Sequence, residues 1–208
     1  MIFRTNYRFT ESLTFYIIVL NVIFFIIQII FPPFTDIFAL TPHLVLSGYY
    51  FQFVSYMFLH GGFMHIGLNM FVFAMFGFPL EQTIGRKRFV TLYMLSGIGS
   101  ALFYILVMSG SSIPVLGASG AVFGTLAAYA FKYPRQWVYL FGLFPLPAAV
   151  LIVFLLIEEA FFGIFSLQPG IANFGHVGGI ITGLLIMFYW KLGEKRPKFE
   201  KEYQFIWE

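Results

Sequence analysis

Gly175-His176-Val177-Gly178-Gly179-Ile180-Ile181-Thr182-Gly183 opens an apolar run that continues to Trp190. Glycines at 175, 179 and 183 recur every four residues, which puts them on one face of a helix. Such a face lets a second helix backbone approach closely, the usual basis of packing inside a bilayer. His176 lies beside that face, and an ionisable side chain in an apolar helix is costly, so it marks a functional position. A partner face exists upstream. Gly117-Ala118-Ser119-Gly120 begins another apolar stretch, with Gly120, Gly124 and Ala128 again at intervals of four. A third polar pair, His65 and Asn69, is spaced i, i+4 and shares one face of a third stretch.

Composition says which solvent surrounds these helices. Of 208 residues, 60% are hydrophobic and 10% charged, and thirty are Phe. Mean hydropathy is +0.86. A water-soluble domain of this length cannot hide so much apolar surface, so the chain reads as one polytopic membrane domain over 1–208. Lipid cannot satisfy free backbone groups, so the spans must be helices and the fold class is all-α. With no cysteine, disulfides, thiolate metal sites and a thiol nucleophile are excluded. The net charge of +3 does not point to nucleic acid, because the basic residues sit at membrane edges.

Six apolar segments are predicted, at about 12–31, 58–79, 89–109, 117–131, 138–160 and 171–190. The fourth is short and has to be buried by its neighbours. Pro145 and Pro147 fall near the start of the fifth and are candidates to kink it. The loop of about 25 residues between segments one and two is rich in aromatic side chains and reads as partly interfacial. Segment one is too long for a signal-peptide core and is read as retained. Residues 193–208 form a charged tail.

Arg4 and Arg8 precede segment one, and Arg86, Lys87 and Arg88 follow segment two. Lys132 and Arg135 follow segment four. Lys191, Lys195, Arg196, Lys198 and Lys201 follow segment six. With six spans all twelve fall on one side, so the positive-inside rule puts both termini in the cytoplasm. Segments two, four and six then all start at the outer face. Ser119, His176, His65 and Asn69 reach similar depths below it, at about 1.5 Å per residue.

A hydroxyl and an imidazole on closely packed helices can act as nucleophile and general base toward a carbonyl. The flanking Gly117 and Gly120 leave backbone N–H groups free at the start of a helix. His65 and Asn69 add side-chain donors for an oxyanion. No acidic residue is placed to orient His176. Glu158 and Glu159 read as interfacial residues near the outer end of segment five, so the expectation is a dyad. His60, offset from the His65 face, reads as structural, tying the loop to the start of segment two. His43 reads as an ordinary loop residue.

These motifs resemble those of the rhomboid family of intramembrane serine proteases. The stretch from Phe58 through His60, Gly61, Gly62, His65, Gly67 and Asn69 to Met70 is similar to the family's second-helix signature. Gly117-Ala118-Ser119-Gly120 matches its GxSG, and the run from Gly175 to Gly183 its last-helix histidine with the glycine stripe. Phe76, Gly77, Glu81, Gly85, Arg88 and Phe89 resemble the region around its second cytoplasmic loop. The resemblance covers about residues 40 to 190, in order.

It implies a six-transmembrane-helix rhomboid-like bundle of the minimal form, with Ser119 as nucleophile and His176 as base. His65, Asn69 and the Ser119 N–H would line the oxyanion hole. Phe123 would stack on His176 where some members have a Tyr, and Gly117, Gly120, Gly179, Gly183 and His60 would support the site. No metal and no organic cofactor are implied. The partners implied are transmembrane protein substrates, cut near the outer membrane boundary at small residues and admitted from the lipid bilayer beside helix five. A bacterial inner membrane is the expected location.

Two other classes are weighed. A small transporter would use His65, His176 and Glu158 as a proton or ligand path, but an alternating-access site sits at the midplane. A catalytically inactive rhomboid-like binder would have no need of the Ser119–His176 pair. One Asp, Asp36, excludes an aspartyl dyad, and no His-Glu-x-x-His zinc motif is present.

Overall fold

The computed structural model describes residues 9–140, 143–167 and 172–193. Arg4, Arg8 and the tail from 194 to 208 lie outside the described residues, as does the start of the sixth predicted segment. Among the described residues there are six longer helices: α1 Leu13–Ile30, α2 Phe63–Ile84, α3 Arg86–Val107, α4 Ser119–Lys132, α5 Ala148–Phe165 and α6 Asn173–Gly193. Five of them are long and apolar enough to cross a membrane. The exception is α4, whose 14 residues reach only about 21 Å. Its neighbours bury it, including all of Gly120–Val122 and Gly124–Ala130. The outward faces carry exposed Ile23, Ile26 and Ile30 on α1, Leu102 and Leu106 on α3, and Val153, Ile157 and Ile164 on α5. So continuous an apolar exterior needs a lipid solvent, and the chain is an integral membrane protein.

The densest packing joins α3, α4 and α6. Glycine makes it possible. A Cβ added to Gly179 would stand 2.1 Å from the Gly120 carbonyl oxygen, and one on Gly183 would stand 2.4 Å from that of Gly124. On the other side of α4, Gly120 and Gly124 face Ser100 and Ser96 of α3. The stripes at spacing four are therefore the contact between helices four and six.

At the opposite end from the site, Glu81 of α2 caps α1. Its carboxylate accepts from Leu13 N–H and Thr14 N–H, each at 2.9 Å, and from Thr14 Oγ at 2.8 Å. A negative group is favoured at a helix N-terminus, where N–H groups lack partners. Ser12 adds the ordinary N-cap bond to Phe15 N–H at 3.0 Å.

Two expectations need correction. The fifth predicted segment, 138–160, begins too early. Trp137–Leu140 (β1) and Phe144–Pro147 (β2) pair antiparallel, so the fold is not purely α, and the helix starts at Ala148. Pro145 and Pro147 do not kink a helix. They lie in β2, where a two-stranded ribbon leaves an edge that tolerates a missing N–H. Helix α5 therefore runs on to Phe165, and Glu159 lies inside it rather than near its end.

The loop after α1 has regular structure of its own. It folds into short helices at Pro33–Phe38, Pro42–Leu46, Gln52–Ser55 and Tyr56–Phe58. Leu40 and Val115 exchange both backbone bonds, at 2.9 and 2.8 Å, and Gly117 N–H donates to Tyr56 O at 3.0 Å. Tyr56 in turn donates its hydroxyl to Gly97 O of α3 at 2.7 Å. This loop thereby holds the strand-like approach to Ser119 against the bundle.

Candidate active site

Three helix starts meet at the site. Ser119 is the first residue of α4, His176 the fourth of α6, and His65 and Asn69 the third and seventh of α2. The close approach of α4 and α6 brings Ser119 Oγ to 2.8 Å from His176 Nε2. Phe123, one turn beyond Ser119, stacks on the imidazole with centroids 4.5 Å apart and planes at 20°. That contact limits the ring to sliding or flipping in its own plane.

His65 sits over the approach to Ser119. A Cβ on Gly117 would lie 3.0 Å from His65 Cε1, 3.1 Å from its Nε2 and 3.5 Å from Ser119 Oγ. Gly117 also has φ +137°, a conformation that side-chain-bearing residues resist. Position 117 needs glycine for both reasons. His65 Nδ1 accepts from Gly61 N–H at 3.2 Å, so the neutral ring carries its proton on Nε2, the nitrogen nearest Gly117 and Ser119. Asn69 donates one amide hydrogen to His65 O at 2.9 Å, which leaves the other uncommitted by that bond. The first backbone bond of α4 runs from Val122 N–H to Ala118 O, so Ser119 N–H lies ahead of the helical ladder. A narrow pocket beside Ser119 is lined by Tyr104, Leu116, Ala172 and Gly175 among others.

The structure overturns one expectation about charge. Glu159 Oε1 lies 2.9 Å from His176 Nδ1, and Asn173 Nδ2 donates to the other carboxylate oxygen at 2.7 Å. Glu159 is buried, not interfacial. The His176 N–H is not aimed squarely at the oxygen, so the contact is close without being a regular hydrogen bond. The signal was present in the sequence as a carboxylate in an apolar helix, but it depended on where α5 begins. Asn173, at the first turn of α6, was missed altogether.

His60 lies on the loop just before α2. Gln28 of α1 accepts from His60 N–H at 2.9 Å and donates to His60 O at 3.3 Å. Its ring packs edge-on against His65, and both ring nitrogens are buried. Burial, with the neighbouring His65 adding to it, drives the His60 imidazole down to about 4. The folded protein thus resists a proton that the unfolded chain accepts near 6.5. The sign follows: stability is full above about pH 6.5 and falls as pH drops toward 4. This residue's share of the loss at pH 5 is about 2 kcal/mol. Melting curves in detergent at pH 7.5 and 5 should show a smaller drop for His60→Phe than for the parent. Equal drops would remove His60 as the cause.

The Rhomboid domain family profile matches residues 47–192. RHOMBOID-like protein 5 of Arabidopsis thaliana is 34% identical over 151 residues, 72% of this chain and 47% of that protein. Rhomboid protein 1, mitochondrial, of Saccharomyces cerevisiae is 33% identical over 137 residues, 64% of this chain and 39% of that protein. Rhomboid-type serine protease 2 of Emericella nidulans is 34% identical over 139 residues, 66% of this chain and 26% of that protein. The chain spans less than half the length of these relatives. They come from a plant and two fungi, one is named as mitochondrial, and they lend no support to a bacterial inner membrane. The matched region takes in the whole constellation from His60 to Gly183, and on that match the chain belongs to the rhomboid family.

Proposed function

We propose that this protein is an intramembrane serine endopeptidase that cuts transmembrane proteins near the outer boundary of the bilayer. It would do so with six spans and cytoplasmic termini. The 2.8 Å approach of Ser119 Oγ to His176 Nε2, between two helices of an apolar bundle, carries this reading. His176 takes the Ser119 proton as Oγ adds to the scissile carbonyl carbon. The resulting oxyanion meets Ser119 N–H, His65 Nε2–H and the free amide hydrogen of Asn69. The intermediate collapses, the C–N bond breaks, and His176 returns the proton to the leaving amine. Water, deprotonated by the same imidazole, then hydrolyses the acyl ester and frees Ser119.

Substrate enters from lipid beside α5. This helix buries only Ala148, Leu151, Ile152 and Glu159 of its 18 residues, which fits a wall that yields. A transport site is disfavoured because the polar groups gather at one end of the bundle, not at mid-depth.

Purified protein in lipid vesicles, given a transmembrane substrate, should cleave it. A fluorophosphonate should label Ser119 and stop cleavage in proportion. Labelling elsewhere, or cleavage persisting after full labelling, would overturn the assignment. For Asn69→Ala, kcat should fall by about 10²-fold with KM within about two-fold, since one oxyanion donor is lost. A rise in KM alone would remove Asn69 from that role.

A further inference from the structure

The base in this protein has a carboxylate behind it. Glu159 approaches His176 from α5 on the side away from Ser119, so the three groups form a line of short contacts. Ser119 Oγ to His176 Nε2 is 2.8 Å and His176 Nδ1 to Glu159 Oε1 is 2.9 Å. Asn173 extends the line by holding Glu159 Oε2 at 2.7 Å. Three helices supply the groups, which makes chance sequence proximity irrelevant.

We infer that Glu159 is a positioning residue for His176, held in place by Asn173, so that the protein works with a Ser–His–Glu relay rather than a dyad. The inference rests on the protease reading above and refines it.

Tautomer choice is the first reason. To accept the Ser119 proton, Nε2 must present its lone pair, so the neutral ring must carry hydrogen on Nδ1. A carboxylate oxygen beside Nδ1 selects that tautomer, because it accepts and cannot donate when ionised. The Asn173 amide donor on the other oxygen is the partner an ionised carboxylate takes. Charge is the second reason. During acylation the ring becomes an imidazolium, and a negative group 2.9 Å away in a poorly solvated site offsets it. The proton itself moves only between Ser119, His176 and the leaving amine. No proton passes to Glu159.

The contact is off the N–H direction in the resting structure. Such bonds commonly tighten when substrate fills the site. Other titratable groups face the ring and its partner. Glu158 adjoins Glu159 on α5, and His65 approaches from α2. Neither lies within the line of contacts. Phe123 covers one face of the imidazole. Glu159 is thus the side chain among the described residues that can fix the Nδ1 proton.

The test compares Glu159→Gln, Glu159→Asp and Asn173→Ala with the parent in lipid vesicles, on a transmembrane substrate. Active sites are counted by fluorophosphonate burst, and rates are expressed per active site. Glu159→Gln should lower kcat by about 10²-fold with KM within about two-fold, because the ring loses both tautomer selection and charge compensation. Glu159→Asp should recover part of that loss, and Asn173→Ala should cost about ten-fold. Melting temperatures should change little.

A purely structural role would instead reduce the number of active sites and the melting temperature, leaving kcat per site intact. That result overturns the relay, as does a Glu159→Gln enzyme with kcat within about three-fold of the parent. In either case an inactive Ser119→Ala control leaves the protease reading standing. Activity in Ser119→Ala removes both. Should Glu159→Gln fail to fold, Asn173→Ala and Glu159→Asp decide by the same kcat criterion.

Discussion

Ser119→Ala should reduce kcat by about 10⁶-fold without changing the melting temperature by more than a degree or two. The hydroxyl is the only atom removed, and its partner in the structure is His176 Nε2 at 2.8 Å. Alanine is also a good helix former at the first position of α4, so the backbone should stay where it is. His176→Ala should cost a similar factor, and the double variant little more, because a nucleophile and its base act as one unit. The imidazole occupies more space than the hydroxyl, so its removal also opens a cavity beside Phe123 and lowers stability by about 2–4 kcal/mol. The two variants thus share a kinetic phenotype and differ in stability. Measured cleavage above a thousandth of the parent rate in Ser119→Ala would end the assignment of nucleophile.

Much of this site could be read from residue spacing, and the reason is physical. In lipid a polar side chain is expensive, so Ser119, His176, His65 and Asn69 stand out against an apolar background. The glycines at 120, 124, 179 and 183 recur at helical spacing, and their contact is the one the structure displays. Glu159 was harder. Its meaning depends on how deep in α5 it lies, and that depends on where the helix starts and ends. Apolar Trp137–Leu140 and Phe144–Pro147 read as helix by hydropathy alone. Only their antiparallel pairing turns them into a ribbon and moves the start of α5 to Ala148. Asn173 was invisible for a related reason: a polar residue at a helix start is ordinarily a cap, and nothing local shows a carboxylate waiting on another helix. Gln28 likewise needed the tertiary contact with His60 to acquire a role.

The second large effect concerns the seam that holds the pair together. Gly179→Ala places a Cβ 2.1 Å from the Gly120 carbonyl oxygen and 2.9 Å from its carbon. Both obstacles are backbone, so no side-chain rotation relieves them. Helices α4 and α6 must separate by about 1 Å or more to restore van der Waals distance. Gly120 follows Ser119 directly, and Gly179 follows His176 by three residues. The displacement therefore falls on the 2.8 Å contact between Ser119 and His176. A misplacement of that size can cost about 10²-fold in rate even when every reacting group is present. Overpacking of a tight core should also cost up to about 3 kcal/mol. For a chain of this length that is roughly 6–12 °C in melting temperature. Gly183→Ala, with its Cβ 2.4 Å from the Gly124 oxygen, should behave similarly. Gly67 on α2 is the control, because nothing lies within 4 Å of its added Cβ. Gly67→Ala should melt at or slightly above the parent, as helix propensity alone favours alanine there by up to about 1 kcal/mol. If Gly179→Ala melted with Gly67→Ala and cut substrate at the parent rate, the helices could not be in backbone contact. The geometry that unites Ser119 with His176 would then be wrong.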